Sequence, residues 1–232
     1  MEERMFVWPP PTDTVAIFAG VILERLKSNW IHVGFLYRIE DSDAYVLHLW
    51  GHRKLLHEPP REGQLCVLCE IEPVRLPSIA AFARRLYRKN KNQGIPYAFS
   101  SPEQDWFSAE GSLLLGPERL GLTCANFVLA LYRAAGLPLV QLDTWPARED
   151  DAAWQQSVLD EWAPAIAEAK QKTQEHFAQV QNEIGTVRCR PTEIGGAALA
   201  SEFPCAIDTA LKHALEVERI LPERPAAPSA QT

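Results

Sequence analysis

Long apolar runs are missing from this sequence. The longest near the N-terminus, residues 15–23, is nine residues long. A helix needs about 20 apolar residues to cross a bilayer, so no membrane span is expected. No small-residue cleavage site follows that run, and the preceding MEERMFVWPPPTDT is mixed in charge and rich in proline. A Sec signal peptide is therefore not expected either. Basic charge is in short supply: Lys+Arg 23 against Asp+Glu 30, a formal net charge of −7. That balance disfavours phosphate backbones and anionic lipid surfaces, so no nucleic-acid partner is expected. The five cysteines are too few and odd in number for a secreted disulfide framework. A reducing cytoplasm is the expected compartment, with export as an effector by a signal-independent route left open. Glycine is scarce beside proline, 12 against 18, which implies stiff loops.

What is present is ordinary globular composition, 47% hydrophobic and 23% charged. A chain of 232 residues fits one sizeable domain, here expected over residues 1–221. The tail 222–232, PERPAAPSAQT, is expected from its composition to be disordered. Apolar residues at Val15, Ile17, Phe18, Val21, Ile22 and Leu23 predict a short helix over 14–26. Residues 31–40 (IHVGFLYRIE) and 44–51 (AYVLHLWG) read as strands of a β-hairpin around Asp41-Ser42-Asp43, and 64–72 as a third strand. Helices are expected over 77–90 and 123–135, the latter stopped by Gly136 and Pro138. A long helical stretch follows over 151–183, broken at Pro164, then a strand over 185–191 and a helix over 206–221. Helices around a hairpin-rich antiparallel sheet make an α+β fold.

The hairpin carries two histidines. Side chains alternate along a strand. Joining the apolar faces of the two strands sets odd positions opposite odd ones, with Leu36 opposite His48 and Gly34 opposite Trp50. His32 and His48 then share one face. Gly34 lies beside them, and a strand glycine lets another group approach the backbone closely. Each histidine taken alone reads more simply as a half-buried strand residue. His52 and His57 fall past the strand in a basic loop, where solvation is the expectation. No spacing of the four matches a metal signature.

GLTCANFVLALYRAAGLP places Cys124 in the first turn of a helix, with either Thr123 as its N-cap or Cys124 itself at the boundary. Free amides and the positive dipole end favour a thiolate there and can receive an oxyanion. The bland reading is a buried structural cysteine. That reading suits Cys66, Cys69, Cys189 and Cys205 better. Cys66 and Cys69 form a CxxC, but within a strand they point to opposite faces.

A histidine opening a strand as IHVG, a polar residue on the next strand, then a cysteine opening an apolar helix: this order resembles the circularly permuted papain-like families. These include the permuted NlpC-type enzymes and the lecithin–retinol acyltransferase group. The resemblance covers residues 14–140, with 141–221 a mainly helical elaboration. It implies a circularly permuted papain-like fold, an antiparallel sheet packed against helices with the nucleophile at a helix N-terminus. It assigns Cys124 as nucleophile, His32 as base and His48 as the residue that orients it. Gly34 and Trp50 become substrate-side residues. The acyltransferases favour asparagine before the cysteine, where this chain has Thr123.

The implied chemistry is acyl transfer through a thioester, with no metal or cofactor required. Three readings compete. The first is a cysteine hydrolase of amide bonds, a peptidase or amidase, with cell-wall peptide among its possible substrates. The second is a lipid or ester acyl hydrolase or acyltransferase with the same residues, in which Trp50, Trp106 and Phe107 line an acyl groove. The third is a papain-like binding scaffold with no catalysis. The expected partner is a peptide, amide or acyl-containing substrate, and the amide hydrolase is preferred.

Overall fold

The computed structural model of the chain describes residues 4–10, 17–26, 30–39, 43–116 and 119–223. Among these are six strands: β1 (Met5–Val7), β2 (Phe18–Arg25), β3 (Ile31–Arg38), β4 (Tyr45–Gly51), β5 (Lys54–Glu58) and β6 (Leu65–Leu68). Six α-helices accompany them: α1 (Leu76–Asn90), α2 (Cys124–Ala134), α3 (Glu149–Ala167), α4 (Gln171–Val180), α5 (Pro191–Ala198) and α6 (Ile207–Ile220). The strands form one sheet in the order β1-β6-β2-β3-β4-β5, antiparallel throughout. The α+β architecture is as expected. Among the described residues, no helix is long and apolar enough to cross a membrane.

The first expected helix is wrong. Of residues 14–26, those from Phe18 to Arg25 form β2, with Phe18 to Leu23 all buried, and residues 14–16 lie outside the described residues. An unbroken apolar run satisfies helical spacing as well as strand spacing. Here it is a central strand covered on both faces. Odd-numbered residues of β3 and β4, including Val33, Phe35, Leu47 and Leu49, join the main core. That core is shared with α2 and its Phe127, Val128 and Leu131. Even-numbered Leu36 and Val46 join a smaller cluster with Phe18, Ile22 and Cys66 on the other face. Cys66 and Cys69 fall into different clusters, as strand alternation requires.

The hairpin keeps its predicted parity, but its register is two residues shorter. Leu36 pairs with Val46, not His48, and Phe35 with Leu47. A slip of two leaves every side chain on its own face. Residues 40–42, the end of the expected strand and the first two residues of the expected turn, lie outside the described residues. Besides β2, two further strands were not anticipated, β1 and β5, and β6 is only four residues long. The expected loop past β4 is therefore mostly β5.

The C-terminal part differs in detail from expectation. The α3 helix runs through Pro164, and the break falls between Ala167 and Gln171. Proline so near a helix end removes one bond in the final turn, a smaller cost than in the interior. Residues 185–191 form no strand: 185–190 are irregular and lead into α5, whose first residue is Pro191. Glu193 accepts the Arg190 N–H at 3.0 Å, and Asp151 accepts the Arg148 N–H at 3.1 Å, closing the starts of α5 and α3. Arg148 also pairs with Glu193 at 2.7 Å, and Arg190 with Asp150 at 2.7 Å. These bonds tie the two helix starts together and hold residues 188–190 beside the sheet. The α5 and α6 helices meet backbone to backbone: a Cβ on Gly196 would fall 2.1 Å from the Ala210 carbonyl oxygen.

Candidate active site

Cys124 is the first residue of α2, and the Thr123 side chain caps the helix by accepting the Asn126 N–H at 3.1 Å. The helix packs across β3 and β4. Its N-terminus thus arrives where the hairpin opens. The β3–β4 ladder pairs only Phe35, Leu36 and Tyr37, so it has parted before Val33. The freed Val33 amide N–H faces the Cys124 sulfur, as does the Ala125 amide. Val33 follows His32 directly, so the His32 backbone lies beside the sulfur.

His32 and His48 meet as their shared face predicts, with His32 Nε2 2.7 Å from His48 Nδ1. Both are buried. The other His48 nitrogen, Nε2, lies 3.3 Å from Glu58 Oε1 on β5. Arg61 stands 4.0 Å from Glu58 and pairs with Glu24 at 2.7 Å. Trp50 packs edge-on against both imidazoles, its ring centroid 5.0 Å from that of His32 and 5.7 Å from that of His48. The Arg61 guanidinium sits 5.2 Å from the Trp50 ring centroid. The result is a chain of polar groups, His32 to His48 to Glu58, walled by an indole. Sequence reading missed Glu58. Its only signal was the alternating KLLHE segment after the hairpin, which was read as loop.

Gly34 serves this pair. A Cβ there would fall 2.9 Å from the His48 Cβ and 2.8 Å from Val46 Cγ1. The missing side chain makes room for His48 on the neighbouring strand. Gly34 does not line the cavity described next, whereas Trp50 does.

A cavity of about 460 Å³ opens beside Cys124. Cys124, His32 and Trp50 share its wall with Trp30, Tyr97, Trp154, Trp162, Arg188 and Arg190. Trp106 and Phe107, expected in an acyl groove, are instead buried in the main core. His52 and His57 are half-buried and not simply solvated. His57 bonds the Tyr37 hydroxyl at 2.9 Å. His52 accepts the Tyr97 N–H at 3.3 Å, while His176 donates to the Tyr97 carbonyl at 2.8 Å. These two rings fix the strand-like segment that carries Tyr97 to the cavity.

Burial dominates the electrostatics. It holds the His32 imidazole well below its ordinary pKa, helped by His48 and Arg61. It also lowers His48, against the opposing pull of Glu58. Burial pushes the Cys124 thiol up, although the Val33 and Ala125 amides and Arg188 favour the thiolate. This corrects the expectation of a thiol lowered by its helix end: desolvation outweighs the dipole. Both shifts favour the neutral form of the group. No hydrogen bond joins Cys124 to His32 in this structure among the described residues. Resting catalytic contacts commonly tighten only when substrate is bound. Cys124 is half-buried, while Cys66, Cys69, Cys189 and Cys205 are buried. Among the described residues, no group of three or more His, Cys, Asp or Glu side chains is placed to hold a metal.

Comparison of this chain with protein-family models, with curated proteins and with solved structures finds no match.

Proposed function

We propose that the protein is a cysteine hydrolase of the circularly permuted papain-like kind, acting on an amide bond through a thioester. The observation that carries this reading is the joint placement of Cys124 and His32 on one cavity wall, with His32 held by His48 at 2.7 Å. His32 takes the Cys124 proton as the sulfur attacks the substrate carbonyl carbon. Two neutral groups favour this concerted transfer over a standing ion pair. His48 holds the tautomer and the ring plane, and Glu58 steadies His48 as positive charge develops. The Cys124 amide at the start of α2 receives the oxyanion. Collapse of the tetrahedral adduct breaks the C–N bond, and the His32 proton leaves with the amine. Water then attacks the thioester, giving its proton to His32. The acid is released, and the thiol recovers its proton.

The amide preference is supported by the cavity's polar side: Arg188, Arg190, Thr192 and Glu218 line it. A purely lipid-binding groove has little use for such groups. One observation favours a second reading, an acyl ester substrate: Trp30, Trp50, Tyr97, Trp154 and Trp162 give the same cavity an aromatic wall. Incubation with peptide, isopeptide and murein-peptide substrates, alongside phospholipids and acyl esters, tests both. Amide turnover abolished in Cys124→Ala is the expected result. Turnover of esters alone would transfer the mechanism to the second reading. Absence of any turnover, with an unreactive Cys124, would overturn catalysis altogether.

A further inference from the structure

The cavity holds a guanidinium that the mechanism above leaves unused. Arg188 lies in the irregular segment before α5, and its guanidinium carbon is 3.6 Å from the centroid of the Trp154 ring. Stacking fixes the guanidinium plane and leaves its in-plane N–H donors at the edge. Its neighbours are already engaged. Arg190 makes two bonds to Asp150, at 2.7 and 2.8 Å. Arg148 is 2.7 Å from Glu193. Asp151 accepts the Arg148 N–H, and Glu218, at the cavity wall, is exposed. Among the described residues, no carboxylate lies within 4.0 Å of the Arg188 guanidinium, and no hydrogen bond from it is formed. A half-buried cation with no carboxylate within 4.0 Å, drawn on only at longer range by Asp151 and Asp150, thus faces the same cavity as the nucleophile.

We propose that Arg188 is a carboxylate-binding group, and that the substrate is a short acyl-amino-acid or peptide terminus whose free α-carboxylate it holds. The substrate claim rests on the hydrolase reading above. Size and chemistry agree with it. A cavity of about 460 Å³ suits a small ligand or a chain end rather than the middle of a polypeptide. An arginine fork matches a planar carboxylate with two parallel bonds. The indoles of Trp30, Trp154 and Trp162 offer flat apolar walls to the acyl part. Held by its carboxylate, the terminus presents its amide carbonyl toward Cys124. Hydrolysis consumes one water and releases an acid and a free amine, with no other reactant.

The test uses the full chain with Cys124→Ala, so that nothing is consumed. Binding of N-benzoylglycine and of N-benzoylglycinamide is followed by tryptophan fluorescence. The acid is expected to bind roughly 10- to 100-fold more tightly than the amide, the range of a charge-assisted bond. Arg188→Gln should erase that preference, and Arg188→Lys, which keeps the charge but not the fork, should retain part of it. Equal binding of acid and amide, binding of neither, or a preference that survives Arg188→Gln would overturn the proposal. Alkylation of Cys124 in the unsubstituted protein reports separately on the hydrolase reading. A carboxylate preference beside an inert thiol would leave a binding site and remove the substrate claim.

Discussion

The sheet half of the molecule and its C-terminal helices build the cavity in different ways. From the sheet come the groups to which the proposal gives the chemistry: His32 on β3, His48 on β4, Glu58 on β5, and Cys124 on the helix packed against them. All are fixed by regular elements, and their relative placement follows from strand alternation and one helix cap. From the C-terminal part come the walls: Trp154 and Trp162 on α3, and Arg188 in an irregular segment held by the Arg148–Glu193 and Arg190–Asp150 pairs. On the proposed reading, the contrast divides chemistry from recognition. Groups that move protons need fixed distances, which strands supply. Groups that choose a substrate can sit on connecting segments, provided polar anchors hold them.

That division predicts different kinetic signatures for the two halves. Cys124→Ala should leave no turnover. His32→Ala should reduce kcat by roughly 10² to 10⁴, the usual worth of a positioned general base. Trp162→Ala, on the wall, should raise KM while kcat changes little. Steady-state kinetics on one amide substrate compares all three. A kcat collapse in Trp162→Ala, matched by a mere KM change in His32→Ala, would erase the distinction.

Gly34→Ala probes how finely the sheet sets the histidine pair. A new Cβ 2.9 Å from the His48 Cβ and 2.8 Å from Val46 Cγ1 must displace one of them. Overpacking of this kind costs about 1–3 kcal/mol, measurable by urea unfolding. Activity should fall further than the folded fraction does, because His48 moves. An active, fully stable variant would show that the pair tolerates displacement. Glu58→Gln should act more gently, with a kcat loss of about tenfold or less, because Glu58 reaches His32 only through His48.

The last effect concerns pH and touches both halves. His32, His48, His52, His57, His176 and His213 are all held below their ordinary pKa, burial being the first cause in each. The unfolded chain therefore takes up protons first as pH falls. Stability is fully present above about 6.5 and declines below it. For His52, lowered to about 4, the decline runs from its ordinary value down to about 4. Each proton taken up only on unfolding tilts stability by about 1.4 kcal/mol per pH unit. Melting temperatures at pH 8, 7, 6 and 5 should fall progressively below 7. A flat profile would mean that these rings titrate alike in both states.

Legibility in the sequence followed the same line. Alternation in IHVGFLYR and YVLHLW placed His32 and His48 on one face, and parity survived even though the register moved by two residues. GLTCANFV announced a capped helix with cysteine at its start, and α2 begins there. Strand β2 was hidden because its apolar run fits either period, and only burial on both faces separates the two. Glu58 was hidden by the irregularity between Leu49 and Gly51 and by the positive φ of 57° at Arg53, which turn the chain straight back into β5. Gly195 and Gly196 masked α5, since glycine reads as a breaker until the α6 backbone is seen pressed against it. Arg188 left no local signal. Its environment is made by Trp154, more than thirty residues away along the chain.

The central claim is that Cys124 and His32 act as one unit. The direct measurement is the rate of iodoacetamide labelling at pH 7, residue by residue by mass spectrometry, in the native protein and in His32→Ala. Cys66, Cys69, Cys189 and Cys205 are buried, and burial pushes each of their thiols up, Cys69 to about 12 and Cys205 to about 11. The account predicts that Cys124 labels at least about tenfold faster than any of them and slows markedly without His32. Labelling of Cys124 that is fast but indifferent to His32 would reduce it to an exposed thiol. Labelling no faster than the buried four would contradict the account outright.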